Sequence, residues 1–305
     1  MDWIEKKIDA IERDRSHGAA QLASSAIKIL ITLCRRSKGK DLDQITSAVR
    51  QTALSLAKVR PSMAPVGNWS LLFAHRFQEK ISQTISLPEA KKQGVLLGEE
   101  LLAQQQRFVE LQVKAAREIL KNCKSLLTLS YSSTVESILL HSLPSGCRVV
   151  IAESRPLMEG RRLFKNLEHI FADLRMITDA QMGLTIPNTE LVLVGADTIL
   201  SDLAVVNKTG TYLSALVSHT HNRDFFVAAD TYKIKADTDS RNCLLESKSG
   251  RELWPQHAKQ CENVYFDITP PELISGFVTE EGILDVAGMQ PHVQRWKELY
   301  RVLEF

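Results

Sequence analysis

The sequence predicts an α/β protein in two parts, an N-terminal helical domain over residues 1–122 and a mostly parallel sheet domain over 123–305. Two observations carry this. Up to about residue 122 the apolar residues recur at helical spacing, and from Ser125 onward short apolar runs alternate with helical ones. A length of 305 residues also exceeds the roughly 100–200 of one typical domain.

The helical part reads in order. Trp3, Ile4, Ile8 and Ile11 form a first stripe. Leu22, Ala23, Ala26, Ile27, Leu30 and Leu33 form a second, closed by Arg35, Arg36, Lys38 and Gly39. A third helix over about 41–58 ends at Arg60-Pro61, because the residue before proline is pushed out of the α region. A fourth runs from Pro65 to about Ser82. Ser86-Leu87-Pro88-Glu89 has the form of a capping box opening a long helix over about 87–122.

In the second part, strands are expected at Leu126–Ser130, Arg148–Ala152, Arg175–Thr178, Leu191–Val194 and Phe225–Ala229, with short ones at Val264–Phe266 and Gly276–Val278. Helices are expected at about 133–140, 159–174, 210–222 and 289–303. Such alternation implies βαβ units, whose ligands bind at the carboxyl ends of the strands at a topological switch point.

Composition narrows the function. With 44% hydrophobic and 24% charged residues the chain can build a sizeable core. A net charge of +2 argues against direct nucleic-acid binding. The five cysteines are widely spaced without a CxxC pair, which fits free thiols in a reducing compartment. The charged N-terminus is unlike a signal peptide, and no run approaches the roughly 18 apolar residues of a membrane span. A cytoplasmic protein without membrane association is therefore expected. His219 and His221 lie two apart on a predicted helix, do not share a face, and make poor joint ligands, so no metal is expected.

Four clusters fall at predicted strand ends. Ser130-Tyr131-Ser132-Ser133-Thr134 precedes a helix and suits either an anion or an ordinary N-cap. Arg155, in Glu153-Ser154-Arg155-Pro156, offers a fork for a phosphate or an ion pair with a neighbouring acid. Asp197, in Gly195-Ala196-Asp197, is a general-base candidate or a turn former. The same third cluster continues with Asn207-Lys208-Thr209-Gly210-Thr211, read as opening a helix, where a lysine and free N–H groups outline a phosphate site. Asp230-Thr231-Tyr232-Lys233 adds a further cation, Lys233, near the same crevice.

Together these motifs resemble one family. It comprises the alpha, beta and delta regulatory subunits of translation initiation factor 2B, the ribose-1,5-bisphosphate isomerases and the methylthioribose-1-phosphate isomerases. Phe266-Asp267-Ile268-Thr269-Pro270-Pro271-Glu272 and Thr279-Glu280-x-Gly282-Ile283 also carry the resemblance, as do Arg60-Pro61 and His17-Gly18-Ala19, which stands where the isomerases have Arg-Gly-Ala. The resemblance implies a Rossmann-like C-terminal domain that forms homodimers or higher homo-oligomers, with no cofactor. It implies Asp197 as acid/base and Asn207 and Lys208 as substrate contacts. Arg60, Arg155 and Lys233 would surround phosphates, with His17, Gly18, Tyr131 and Ser132 as further binding residues. It also places Ser130 where the isomerases have a catalytic Cys. A serine hydroxyl is a far weaker acid than a thiol and needs an adjacent base.

The expected ligand is thus a phosphorylated sugar or a nucleotide, bound with weak or no isomerase activity. Two alternatives stand beside this: an aldose–ketose isomerase using Asp197 with water or Ser130 assisting, and a subunit of a translation-related complex with a vestigial pocket.

Overall fold

The computed structural model describes residues 2–82 and 86–302. They form two compact units, Met1–Arg107 with Trp296–Phe305, and Phe108–Arg295. This differs from a division at 122. The helix α5 (Leu87–Leu120) runs unbroken past the boundary, and its Ala116 and Leu120 are buried in the core of the second unit. The last helix likewise returns to the first unit, where Tyr300 donates a hydrogen bond to Asn68 Oδ1.

The first unit contains α1 (Asp2–Arg13), α2 (Ala19–Arg36), α3 (Leu42–Val59) and α4 (Ala64–Ile81). Asp41 caps α3 by accepting from the Gln44 N–H at 2.8 Å. Pro65 sits in the first turn of α4, where its missing N–H costs nothing. Trp69, Phe73 and Phe77 on α4, with Leu22, Ile27 and Leu30 on α2, form the apolar core. Ser86 receives the Glu89 N–H at 3.4 Å, as the capping motif predicts.

The second unit runs β1 (Ser125–Leu129), α6 (Ser133–Ser142), β2 (Arg148–Ala152), α7 (Gly160–Leu167), β3 (Leu174–Ile177), α8 (Met182–Thr185), β4 (Leu191–Gly195), β5 (Thr198–Leu200), β6 (Val205–Lys208), α9 (Thr211–Thr220), β7 (Asp224–Ala228), β8 (Ile234–Lys235), β9 (Phe266–Thr269), β10 (Gly276–Thr279), β11 (Gly282–Leu284) and α10 (Val286–Val302). Seven strands form one sheet in the order β11-β10-β7-β4-β1-β2-β3, parallel except for β11. The chain winds outward from β1 in both directions. The switch point therefore lies between β1 and β4, which pair through Leu126–Leu191 and Leu127–Val192. Every residue of β4 is buried, as expected of a strand covered on both faces.

Two expectations change. The helix after β2 is shorter than predicted, Gly160–Leu167, and the chain reaches the strand β3 soon afterwards. A second sheet, β8-β5-β6-β9, was not foreseen. It places Asn207 and Lys208 on a strand, paired antiparallel with Asp267 and Phe266, instead of at a helix start. The expected end of the last helix at 303 lies outside the described residues.

Candidate functional site

The carboxyl ends of β1, β2, β4 and β7 gather most of the predicted residues along one edge of the large sheet. After β1 the chain turns sharply at Ser130, buried and at φ 62°. Ser132 then caps α6 by accepting from the Val135 N–H at 3.4 Å. Its hydroxyl also packs against the switch-point strand, because a Cβ at Gly195 would lie 2.7 Å from Ser132 Oγ. A glycine at 195 is what allows the two strand ends to approach. Tyr131 turns toward the helices: its hydroxyl donates to Glu136 at 2.9 Å and the Arg162 guanidinium stacks 3.9 Å over its ring. Burial, with Glu136 adding, raises the Tyr131 hydroxyl above its usual range.

After β2 the loop is held through its backbone. Asp179 accepts the N–H groups of Ser154 and Arg155 at 2.8 and 2.7 Å, and the Arg155–Pro156 peptide is cis. The Arg155 side chain is exposed, and Glu153 pairs instead with Arg161 at 3.1 Å. Gly160 lets the loop close onto β2, since a Cβ there would meet the Ala152 carbonyl oxygen at 2.2 Å.

The two lysines are deeply placed. Lys208 is 7% exposed, with its Nζ 2.6 Å from Glu159 Oε1 and 4.6 Å from the Tyr265 ring centre. Glu159 belongs to the same loop as Arg155, so this ion pair brings Lys208 and that loop together. Lys233 is 4% exposed and donates to the Ala196 carbonyl at 2.6 Å, next to Asp197. Asp197 follows β4 directly and donates its N–H to the Val206 carbonyl at 2.9 Å. Behind Lys233 lie two acids. The Glu280 carboxyl accepts from Thr231 Oγ1 and N–H, and burial pushes it up to about 7, with the Asp230 charge adding. Burial raises Asp230 as well, against the attraction of Lys233.

One expectation is overturned here. The amino end of α9 was predicted to offer free N–H groups to an anion. Asp267 Oδ2 already accepts the N–H groups of Gly210 at 2.7 Å and Tyr212 at 3.2 Å. Burial pushes this carboxyl up to about 6, although those hydrogen bonds oppose it. Asn207 is similarly engaged, its Nδ2 donating to Thr211 Oγ1 at 2.9 Å. The cationic character of the site therefore comes from side chains, not from a helix terminus.

The remaining predicted residues lie in the first unit, around the end of α1. Arg60 is buried, with Nη1 donating to the Asp14 carbonyl at 2.8 Å and to those of Ile11 and Glu12 at 3.4 Å. It satisfies the carbonyls that a helix end leaves open. His17 Nδ1 lies 2.8 Å from Asp14 Oδ2. Burial works to raise Asp14, but hydrogen bonds from His17 and Ser16 outweigh it and hold the carboxyl low. Gly18 caps α2 in extended conformation with open space around it.

Sequence reasoning missed Glu159, Tyr265 as a partner of Lys208, Asp179, and the Asp230–Glu280 pair. Glu280 and Asp267 stood in motifs that carried the resemblance, but no local pattern signals their tertiary partners.

The fold is thus an α/β protein whose large, mostly parallel sheet is doubly wound, with polar and charged residues beyond the carboxyl ends of its strands. A profile of the Initiation factor 2 subunit family matches residues 15–286, and the chain belongs to that family. A putative translation initiation factor eIF-2B subunit 2-like protein from Pyrococcus horikoshii is 32% identical over 285 residues, covering 90% of this chain and 93% of its own. A ribose 1,5-bisphosphate isomerase from Thermococcus kodakarensis is 25% identical over 287 residues, 90% of this chain and 89% of its own. The crystal structure of Pyrococcus horikoshii OT3 translation initiation factor eIF-2B superposes with a TM-score of 0.79 at 30% identity, covering 93% of this chain and 97% of that one. Among the described residues no helix is long and apolar enough to cross a membrane.

Proposed function

We propose that this chain is an initiation-factor-2B-like protein that binds a phosphorylated sugar or nucleotide at the carboxyl edge of its large sheet, and does so without isomerase turnover. The observation that carries this reading is Lys208. A lysine ammonium is costly to bury, and this one faces the Glu159 carboxylate and the Tyr265 ring. Such a group is a ready partner for a ligand phosphate. In this reading Lys233, Asp197 and the exposed Arg155 fork would complete the ligand's surroundings. Ser130, a hydroxyl at the position of the expected thiol, argues against proton transfer there.

The test is a thermal-shift screen of ribose phosphates and nucleotides. A ligand that binds only the folded chain raises Tm, so a screen without any stabilisation counts against the reading.

A second reading, an aldose–ketose isomerase, is favoured by Asp197, which follows the switch-point strand beside a carbonyl held by Lys233. Incubation with ribose 1,5-bisphosphate separates the two: ribulose 1,5-bisphosphate formation that disappears in Asp197→Asn establishes the enzyme. A third reading, a translation-complex subunit with a vestigial pocket, is favoured by the internal partners both lysines already hold, and it calls for co-purification of a partner with no ligand response.

A homo-oligomer assembled through the second unit, in the cytoplasm, completes the proposal. Tyr212, Leu213 and Leu216 leave an exposed apolar stripe on α9 that association would cover. Light scattering that shows a monomer at micromolar concentration would remove this part.

A further inference from the structure

The amino edge of the large sheet, opposite the candidate site, carries two facing thiols. Cys123 lies between α5 and β1, its N–H donating to the Leu120 carbonyl at 3.0 Å. Cys147 lies directly before β2, its N–H donating to the Pro144 carbonyl at 3.0 Å. The strands they introduce are paired in register, Ser125 beside Arg148, and the Arg148 N–H reaches the Lys124 carbonyl at 2.8 Å. Neighbouring strands are roughly 4.7–4.9 Å apart. By that register Cys123 lies diagonal to Cys147, one residue from its direct neighbour Lys124, so the distance between the sulfurs measures their approach.

The two sulfurs are already 4.0 Å apart, inside the core that includes Leu120, Leu126, Leu139 and Val149. The Cys147 thiol donates toward the Cys123 sulfur. That contact, more than burial, sets the acidity of Cys123 and lowers it, while Cys147 is raised. In this geometry Cys147 is the donating thiol and Cys123 the accepting sulfur. Cys34, buried among the helices of the first unit, is pushed up to about 12 by burial and serves as an internal comparison.

We propose that Cys123 and Cys147 are a reversible redox pair that a small peroxide converts to a disulfide. The Cys123 thiolate attacks one peroxide oxygen and the O–O bond breaks. The products are a sulfenic acid on Cys123 and a hydroxide that takes up a proton to become water. Cys147 sulfur then attacks the Cys123 sulfur, the S–O bond breaks, and the oxygen leaves as a second water with the thiol proton. Two thiols lose two electrons in all, and hydrogen peroxide is reduced to two waters. Side-chain rotation closes the gap to the S–S length of about 2.05 Å. The crosslink encloses β1, α6 and the turn carrying Ser130 and Ser132. It therefore restricts the unfolded chain at that βαβ unit while leaving the opposite edge of the sheet untouched.

The test uses the whole native chain treated with a few equivalents of hydrogen peroxide, then alkylated in denaturant and digested. The expected result is a loss of about 2 Da, with a Cys123–Cys147 linked peptide, reversal by dithiothreitol, and a Tm several degrees higher in the oxidised form. In Cys147→Ser, oxidation should stop at a dimedone-trappable sulfenic acid on Cys123. Over-oxidation of Cys123 with Cys147 still alkylatable in the wild type overturns the proposal. So does crosslinking through Cys243, Cys261 or Cys34 in preference, or a linkage that forms only after unfolding.

Discussion

Lys208 Nζ and Glu159 Oε1 are 2.6 Å apart, so under the proposed function an incoming anion would compete with this carboxylate. The carboxylate stands where a phosphate oxygen would be attractive. Its second oxygen, Oε2, is buried without a hydrogen-bond donor among the described residues. Under the proposed function, a phosphate that displaced Glu159 would take over the Lys208 contact.

Glu159→Gln should strengthen anion binding, because it keeps the shape and removes the competing charge. An increase in affinity for ribose phosphates on the order of tenfold corresponds to about 1.4 kcal/mol. Without ligand the variant should melt earlier, since Lys208 loses its counter-charge. Titration calorimetry with unchanged affinity would show that Glu159 does not compete.

Lys208→Met tests the same site from the other side. The methionine can lie against Tyr265 and Phe266, while Glu159, partly exposed, can turn to solvent. Melting should change little and the ligand-induced shift should vanish. A full shift retained in this variant would move the binding site elsewhere.

Stability should fall as pH rises toward neutrality. Glu280 is pushed up to about 7 and Asp267 to about 6, both above their ordinary values of 4.5 and 3.8. Between the ordinary and the raised values the folded chain binds more protons than the unfolded one, so raising pH through this window costs stability. Glu280→Gln should flatten the decline of Tm between about pH 5 and pH 7, because the amide oxygen can still accept from Thr231. A slope identical to the wild type would remove Glu280 as its source.

Gly195→Ala should destabilise the switch point. The added Cβ would lie 2.7 Å from Ser132 Oγ and 2.9 Å from its Cβ. Overpacking of this kind costs about 1–3 kcal/mol. Ser132→Gly in the same chain should recover part of the loss, which a double-mutant cycle in denaturant measures.

Much of the fold was legible because its signals are local. Apolar spacing marks the helices of the first unit, and β2 spans Arg148–Ala152 as its apolar run predicts. Ser86 shows how a cap can be read from the residues that make it. The second sheet was not legible, since β6 finds its partner β9 far along the chain and nothing near Asn207 indicates Asp267. Arg60 adds a contact that its motif does not signal: its guanidinium donates to the Asp14 carbonyl at the end of α1.

Sequence alone determined the helices of the first unit, most strands of the large sheet, the family, and which of those strand ends carry polar residues, because periodicity and short motifs act between neighbours in the chain. Only the tertiary structure decided that Glu159 faces Lys208, that Asp267 covers the start of α9, and that Lys233 holds the Ala196 carbonyl. Those contacts join distant segments, and their strength depends on burial and distance, which arise only when the sheets assemble.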